Sequence, residues 1–196
     1  IHPVYRGSHC DLSDYLYSCY EGRLVPTRRD TSFPRLRSDE EFESLILDLC
    51  KLEWADPYAS DKHGRSGQEQ MGVDVYGYPA DRNGRIHGAQ CKLRTGDQQP
   101  TRAEIEGEIK RARDFKPSLE LLIITTDAPR DAKTQEIIRT INDREKNAGG
   151  FGVTIWFWDS ICHRLATHTD LIIKYFSDYL ANLTNAPEAG NLVNIP

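Results

Sequence analysis

Long apolar runs are missing from this chain. Nothing in it approaches the roughly 18 consecutive apolar residues that a membrane helix requires, so neither a membrane span nor a membrane partner is expected. The N-terminus lacks a basic stretch followed by an apolar one, and no secretory signal peptide is expected there. Paired cysteines are missing too. Cys10, Cys19, Cys50, Cys91 and Cys162 are scattered without a C-x-x-C spacing, and an odd number suits neither a disulfide framework nor a zinc site. A reducing cytoplasm is the expected compartment. Internal repeats and low-complexity tracts are also absent. The first residue is Ile rather than Met, from which a longer parent protein is expected.

What is present fits one globular domain with appendages: 196 residues, 38% of them hydrophobic. A net charge of −5 argues against a nucleic-acid partner, but the charge is unevenly spread. Residues 1–37 hold six arginines against four acids, and residues 60–116 hold eleven basic residues against nine acids. The acidic surplus sits in 38–59 and 117–196. Because the field at a binding face matters more than the sum, the acidic balance weakens a DNA-binding reading without excluding it.

Residues 1–37, with Tyr5, Tyr15, Tyr17, Tyr20 and an arginine-rich end, read as an N-terminal extension packed on, or linked to, the main domain. Ser38 and Glu41 have capping-box spacing, and Phe42, Leu45, Ile46, Leu49 and Leu52 fall on one stripe, which predicts a helix over 39–53. Met71 to Tyr78 alternates as a strand with Val73 and Val75 on one face and Asp74 and Tyr76 on the other. Residues 86–93 form its partner, with Gln90 and Lys92 sharing a face, and Asp81-Arg82-Asn83-Gly84 marks the hairpin between them. Pro100, Thr101 and Glu104 open a second helix whose stripe is Ile105, Ile109, Ala112 and Phe115. Leu121 to Ile124 and Val153 to Trp158 read as strands covered on both faces, a third helix spans 132–147, and helical material follows from Ser160. This order predicts an α/β domain, a mixed β-sheet flanked by helices, over 38–183, with a tail or linker at 184–196.

The chemistry lies on the hairpin. A carboxylate on one strand beside Gln-x-Lys on the next is an arrangement suited to phosphodiester hydrolysis. Asp74 and the Gln90 side-chain oxygen can supply a half-shell for Mg²⁺, and Lys92 a point positive charge. Asp74 shares a face with Gln90 and Lys92 only if the hairpin loop has odd length or a bulge compensates. A three-residue turn, Arg82-Asn83-Gly84, meets that condition by pairing 74 with 92, and it places Gly84 where a left-handed residue is needed. Glu43, at the edge of the first helix's stripe, is a further candidate, able to point toward the sheet end.

Gly72-Val73-Asp74-Val75, then Gly88-Ala89-Gln90-Cys91-Lys92, the helix over 102–115 and Leu122 to Thr126 resemble the catalytic core of Mrr-like restriction endonucleases. These belong to the PD-(D/E)xK superfamily, in its Gln-x-Lys variant, and similar domains serve as nuclease effectors in bacterial antiphage defence proteins. The resemblance covers roughly residues 38–165. It implies a restriction-endonuclease-like fold and Mg²⁺-dependent cleavage of double-stranded DNA leaving 5′-phosphates, with Mn²⁺ as a substitute metal. It makes Asp74, Gln90, Lys92 and Glu43 the catalytic positions, and Asp74, Gln90, Cys91 and Glu43 the metal-binding ones. Two departures stand out: Gln68-Glu69-Gln70 replaces a Gly-Asp run, and a strand expected before Asp74 is hard to see around Trp54 to Ala59. Gln90 in place of an acid removes a negative charge, which weakens binding of a second metal. Cutting both strands points to a homo-oligomer when active, and a sensor domain or subunit outside this chain is an expected partner.

Other residues have plainer readings. Lys110, Arg111 and Arg113 suit a solvated helix face as well as a phosphate grip. Arg28, Arg29, Arg35 and Arg37 could steer DNA or simply solubilise a loop. His63 and His87 fit surface histidines better than general bases. Trp54, Trp156 and Trp158 belong to the core or an interface. The alternative function is a nuclease-fold module that binds DNA or a protein partner without cutting.

Overall fold

The computed structural model describes residues 32–64, 70–80, 84–94 and 96–181, and the backbone of 182–184. The chain enters its first helix, α1 (Asp39–Glu53), through Ser38, whose extended backbone lets its side chain accept from the Glu41 amide. Phe42, Leu45, Ile46 and Leu49 are fully buried, as the stripe requires, whereas Leu52 at its end is exposed.

Five strands form one sheet in chain order among the described residues: β1 (Asp61–Lys62), β2 (Val75–Gly77), β3 (Ile86–Lys92), β4 (Leu119–Thr126) and β5 (Gly152–Trp156). β1, β2 and β3 pair antiparallel, and β3, β4 and β5 pair parallel. Parallel neighbours need a crossover. α2 (Arg102–Ala112) and α3 (Ala132–Asn147) supply the two crossovers and lie together on one face, over Leu122, Ile124 and Val153. α1, α4 (Trp158–Leu165) and α5 (Thr169–Thr184) cover the other face, over Val75, Ala89, Ile123 and Trp156. The apolar run of β4 is continuous because both its faces are covered. The domain is therefore the expected mixed sheet flanked by helices. Among the described residues no helix is long and apolar enough to cross a membrane.

Three details depart from the sequence expectations. The strand expected over 71–78 is confined to 75–77, because Met71 (φ 50) and Gly72 (φ 67) are left-handed and turn the chain just before Asp74. Val73 consequently packs on the α2 face and Val75 on the α1 face, rather than both together. The strand expected to reach Trp158 stops at Trp156, since Trp158 already begins α4. The end of the N-terminal extension packs on the domain: Phe33 stacks on Phe176 at 4.9 Å between ring centroids, and its carbonyl accepts from Trp158 Nε1 at 2.9 Å. Residues 1–31 and 185–196 lie outside the described residues.

Candidate functional site

The geometry of the site follows from the β2–β3 register. Val75 lies opposite Ala89, Tyr76 opposite Gly88, and Gly77 opposite His87. Continued by one residue, this places Asp74 across from Gln90. The register is displaced by two residues from the expected pairing of 74 with 92, a shift that leaves the face unchanged because side chains alternate with period two. Of the turn itself, Gly84 is left-handed (φ 78) as expected, while 81–83 lie outside the described residues.

Asp74 is 5% exposed, and its backbone is pinned on both sides: its amide donates to the Ala89 carbonyl, and its carbonyl accepts from the His63 amide. Its Oδ2 accepts from Gln90 Nε2 and from the Cys91 amide, both at 2.6 Å. Burial is the main force on the carboxyl, pushing its pKa up to about 6; Glu43 and Glu108 push the same way, against the Cys91 amide and Lys92. Gln90 is equally buried, and with its amide nitrogen turned to Asp74 its Oε1 has no hydrogen-bond partner among the described residues. Leaving a buried acceptor unsatisfied costs about 1–3 kcal/mol, so the amide is oriented at an expense. At the end of β3, Lys92 Nζ lies 2.6 Å from Glu108 Oε1. Glu43 is half-buried on α1 and 3.4 Å from Lys62 Nζ.

Asp74 and Gln90 therefore meet, and Lys92 and Glu43 both stand close enough to act on Asp74 electrostatically. Cys91 enters through its backbone. Its thiol packs toward the α1-side core, where burial holds it protonated far above the usual range, while its carbonyl lies 3.4 Å from Gln90 Nε2.

No family model matches this chain, and no curated protein does either. Two solved structures are similar to it. One is the MspJI restriction endonuclease in complex with a 27-mer oligonucleotide, at a TM-score of 0.47 and 12% identity, covering 84% of this chain and 39% of that one. The other is the DNA modification-dependent restriction endonuclease AspBHI, at 0.42 and 15%, covering 82% and 43%. The chain thus spans about two fifths of each neighbour's length.

Among the described residues no three His, Cys, Asp or Glu side chains cluster as a metal group. The Asp74 carboxylate and the Cys91 carbonyl both face the Gln90 amide nitrogen, and a turn of that amide would bring its Oε1 to join them as a third oxygen. That set fits a hard cation such as Mg²⁺, which takes one or two carboxylates and completes its shell with water or phosphate oxygens.

The sequence reading missed Glu108. It projects from α2 at 5% exposure and bridges Lys92 and Arg111, the latter at 2.5 Å. A carboxylate set among Ile105, Ile109 and Ala112 on an apolar stripe was the available signal. Beside it Lys92, Arg94, Glu104, Gly107 and Arg111 line a groove, and Arg94 continues into a second one with Arg35, Arg37 and Asp127. Arg94 pairs with Glu104 at 2.9 Å, and Arg35 with Asp97 at 2.6 Å. Arg28 and Arg29 lie outside the described residues. His63 is packed edge-on against Phe115 and Tyr76. His87 is buried rather than on the surface, edge-on to Trp54 and 3.5 Å from Glu120.

Proposed function

We propose that this domain is a metal-dependent endonuclease that hydrolyses phosphodiester bonds of double-stranded DNA, as a restriction or antiphage defence effector. The observation that supports it most is the buried pair of Asp74 and Gln90, whose unpartnered Oε1 sits at the end of a strand that finishes in an ammonium. Asp74, Gln90 Oε1 and the Cys91 carbonyl would hold Mg²⁺ or Mn²⁺, with Glu43 at the margin. When bound, the ion would neutralise phosphate charge and lower the pKa of a water. Lys92 carries a compact positive charge to the same place, where a phosphate in flight between tetrahedral forms gains negative charge. Arg94 and Arg111, on the groove beside Lys92, are placed to attract the flanking phosphates. Cutting both strands calls for two such sites, hence a homo-oligomer, assembled with a sensor domain or subunit outside this chain.

The test is conversion of supercoiled plasmid to nicked and linear forms with Mg²⁺ or Mn²⁺. Asp74→Ala and Lys92→Ala are each expected to lower the rate by about a hundredfold or more. Cleavage that survives either substitution removes the site assignment. A wild-type chain that cuts with neither metal moves the reading to a nuclease-fold module that binds DNA or a protein partner without cutting. The observation favouring that second reading is that Lys92 is already committed to Glu108, with no metal-holding group of three His, Cys, Asp or Glu side chains among the described residues.

A further inference from the structure

Glu108 takes no part in the machinery proposed above, yet it is the most constrained acid near it. A buried carboxylate is costly unless it is paired and hydrogen-bonded, and both of its oxygens are engaged: Oε1 with Lys92 Nζ at 2.6 Å, Oε2 with Arg111 at 2.5 Å. The neighbouring backbone makes room for it. Gly72, two residues before Asp74, has no side chain at the point where a Cβ would come within 2.7 Å of the Glu108 carbonyl oxygen and 3.3 Å of its Oε2. One carboxylate is thus wedged between the turn that delivers Asp74 and the ammonium that ends β3.

We infer that Glu108 is a positioning residue for phosphodiester hydrolysis: reaching in from α2, it supplies the negative charge that Gln90 lacks and fixes the Lys92 ammonium beside Asp74. The kinetic part of this inference rests on the nuclease reading. Lysine carries its charge on a flexible four-carbon stem, and without an anionic anchor the charge is not held in one place. With an amide at 90, the acid beside it is Asp74, just before β2, and Asp74 Oδ2 is already occupied by Gln90 and the Cys91 amide. Glu108 fills the need from the helix, and Arg111 on its second oxygen keeps the carboxylate turned toward Lys92. At this stripe position an apolar residue would serve packing alone, so packing does not account for a carboxylate.

Lys62 provides an internal standard for the test, since its side chain is 27% exposed against 29% for Lys92 while its contacts, Glu43 at 3.4 Å and the Glu40 carbonyl at 3.2 Å, are longer than the 2.6 Å between Lys92 and Glu108. Brief treatment of the full metal-free chain with acetic anhydride, followed by peptide mass spectrometry, compares the two amines. Lys92 is expected to react about threefold or more slowly than Lys62 in the wild type, and Glu108→Gln to abolish that protection while Glu108→Asp retains part of it. Equal reactivity of the two lysines in the wild type, or protection that persists in Glu108→Gln, overturns the inference; the wild-type comparison holds even if a variant fails to fold. In plasmid cleavage, Glu108→Gln is expected to lower kcat about tenfold or more while leaving KM for DNA within about threefold, with partial rescue by Glu108→Asp. A loss confined to KM overturns the positioning role. A wild type that cuts no DNA refutes the nuclease reading, and the acylation rates still decide whether Glu108 anchors Lys92.

Discussion

Asp74 offers the sharpest test because its burial has a thermodynamic signature that needs no substrate. Its carboxyl pKa is about 6 in the folded chain against an ordinary 3.8. Below about pH 4 the carboxyl is protonated in folded and unfolded chains alike, and burial carries no ionic cost. Between about pH 4 and 6 the unfolded chain releases the proton while the folded chain keeps it, so stability falls as pH rises. Above about pH 6 the loss is complete, and a shift of this size corresponds to about 3 kcal/mol. Asp74→Asn removes the titration while its carboxamide oxygen can still accept from Gln90 and the Cys91 amide. Urea unfolding of both chains in EDTA, at pH values from about 4 to 8, isolates the effect, because every other titrating group is common to both. Wild type minus variant is expected to drop by about 3 kcal/mol across that range, or roughly 6–12 °C in Tm for a domain of this size. Mg²⁺ should restore part of the wild-type loss at high pH and leave the variant unmoved. A difference that stays flat with pH would refute the argument that Asp74 is held in a poorly solvated, anion-crowded place.

Two further substitutions probe the frame around the site. Gly72→Ala places a Cβ at positive φ against the α2 backbone, and a loss of about 2–4 kcal/mol is expected from chemical denaturation; a neutral result would show that the turn before Asp74 does not need its left-handed residue. Phe33→Ala keeps the carbonyl that Trp158 uses but removes the ring stacked on Phe176. It should cost about 3–5 kcal/mol, whereas a chain as stable as wild type would place the domain boundary after Phe33.

Much of this frame was legible because local chemistry and tertiary structure agree. Ser38 and Thr101 start their helices where the capping spacing puts them, and the Thr101–Glu104 box is fully formed. The alternation of 86–93 correctly assigns Ala89 and Cys91 to one face and Gln90 to the other. The parity condition placed Asp74 on the right face even though the register is shifted by two, because parity depends on alternation and register on a turn whose length the residues do not dictate. What escaped was set by long-range packing. The left-handed turn at Met71 and Gly72 exists because α2 passes close by, 30 and more residues later in the chain. Glu108 was obscured for the same reason: its partner Lys92 lies on another element, and on its own helix it looks like a flaw in an apolar stripe. Which side chain of the extension would pack on the domain was hidden likewise, because the Phe33 ring finds its partner in Phe176, far along the chain.

The pairing of the groove's cations has a consequence for any polyanion that would bind there. Lys92, Arg94, Arg111 and Arg35 each already hold an acid of the same chain. Basic grooves commonly gain affinity by displacing salt ions condensed on the nucleic acid, which makes binding steeply dependent on ionic strength. Here the arginines carry their own internal counterions, so a phosphate arriving at Arg94 or Arg35 must exchange with Glu104 or Asp97 rather than meet a bare charge. Such a surface resists loose, indiscriminate adhesion and rewards only a ligand whose phosphates match the spacing of all these pairs at once.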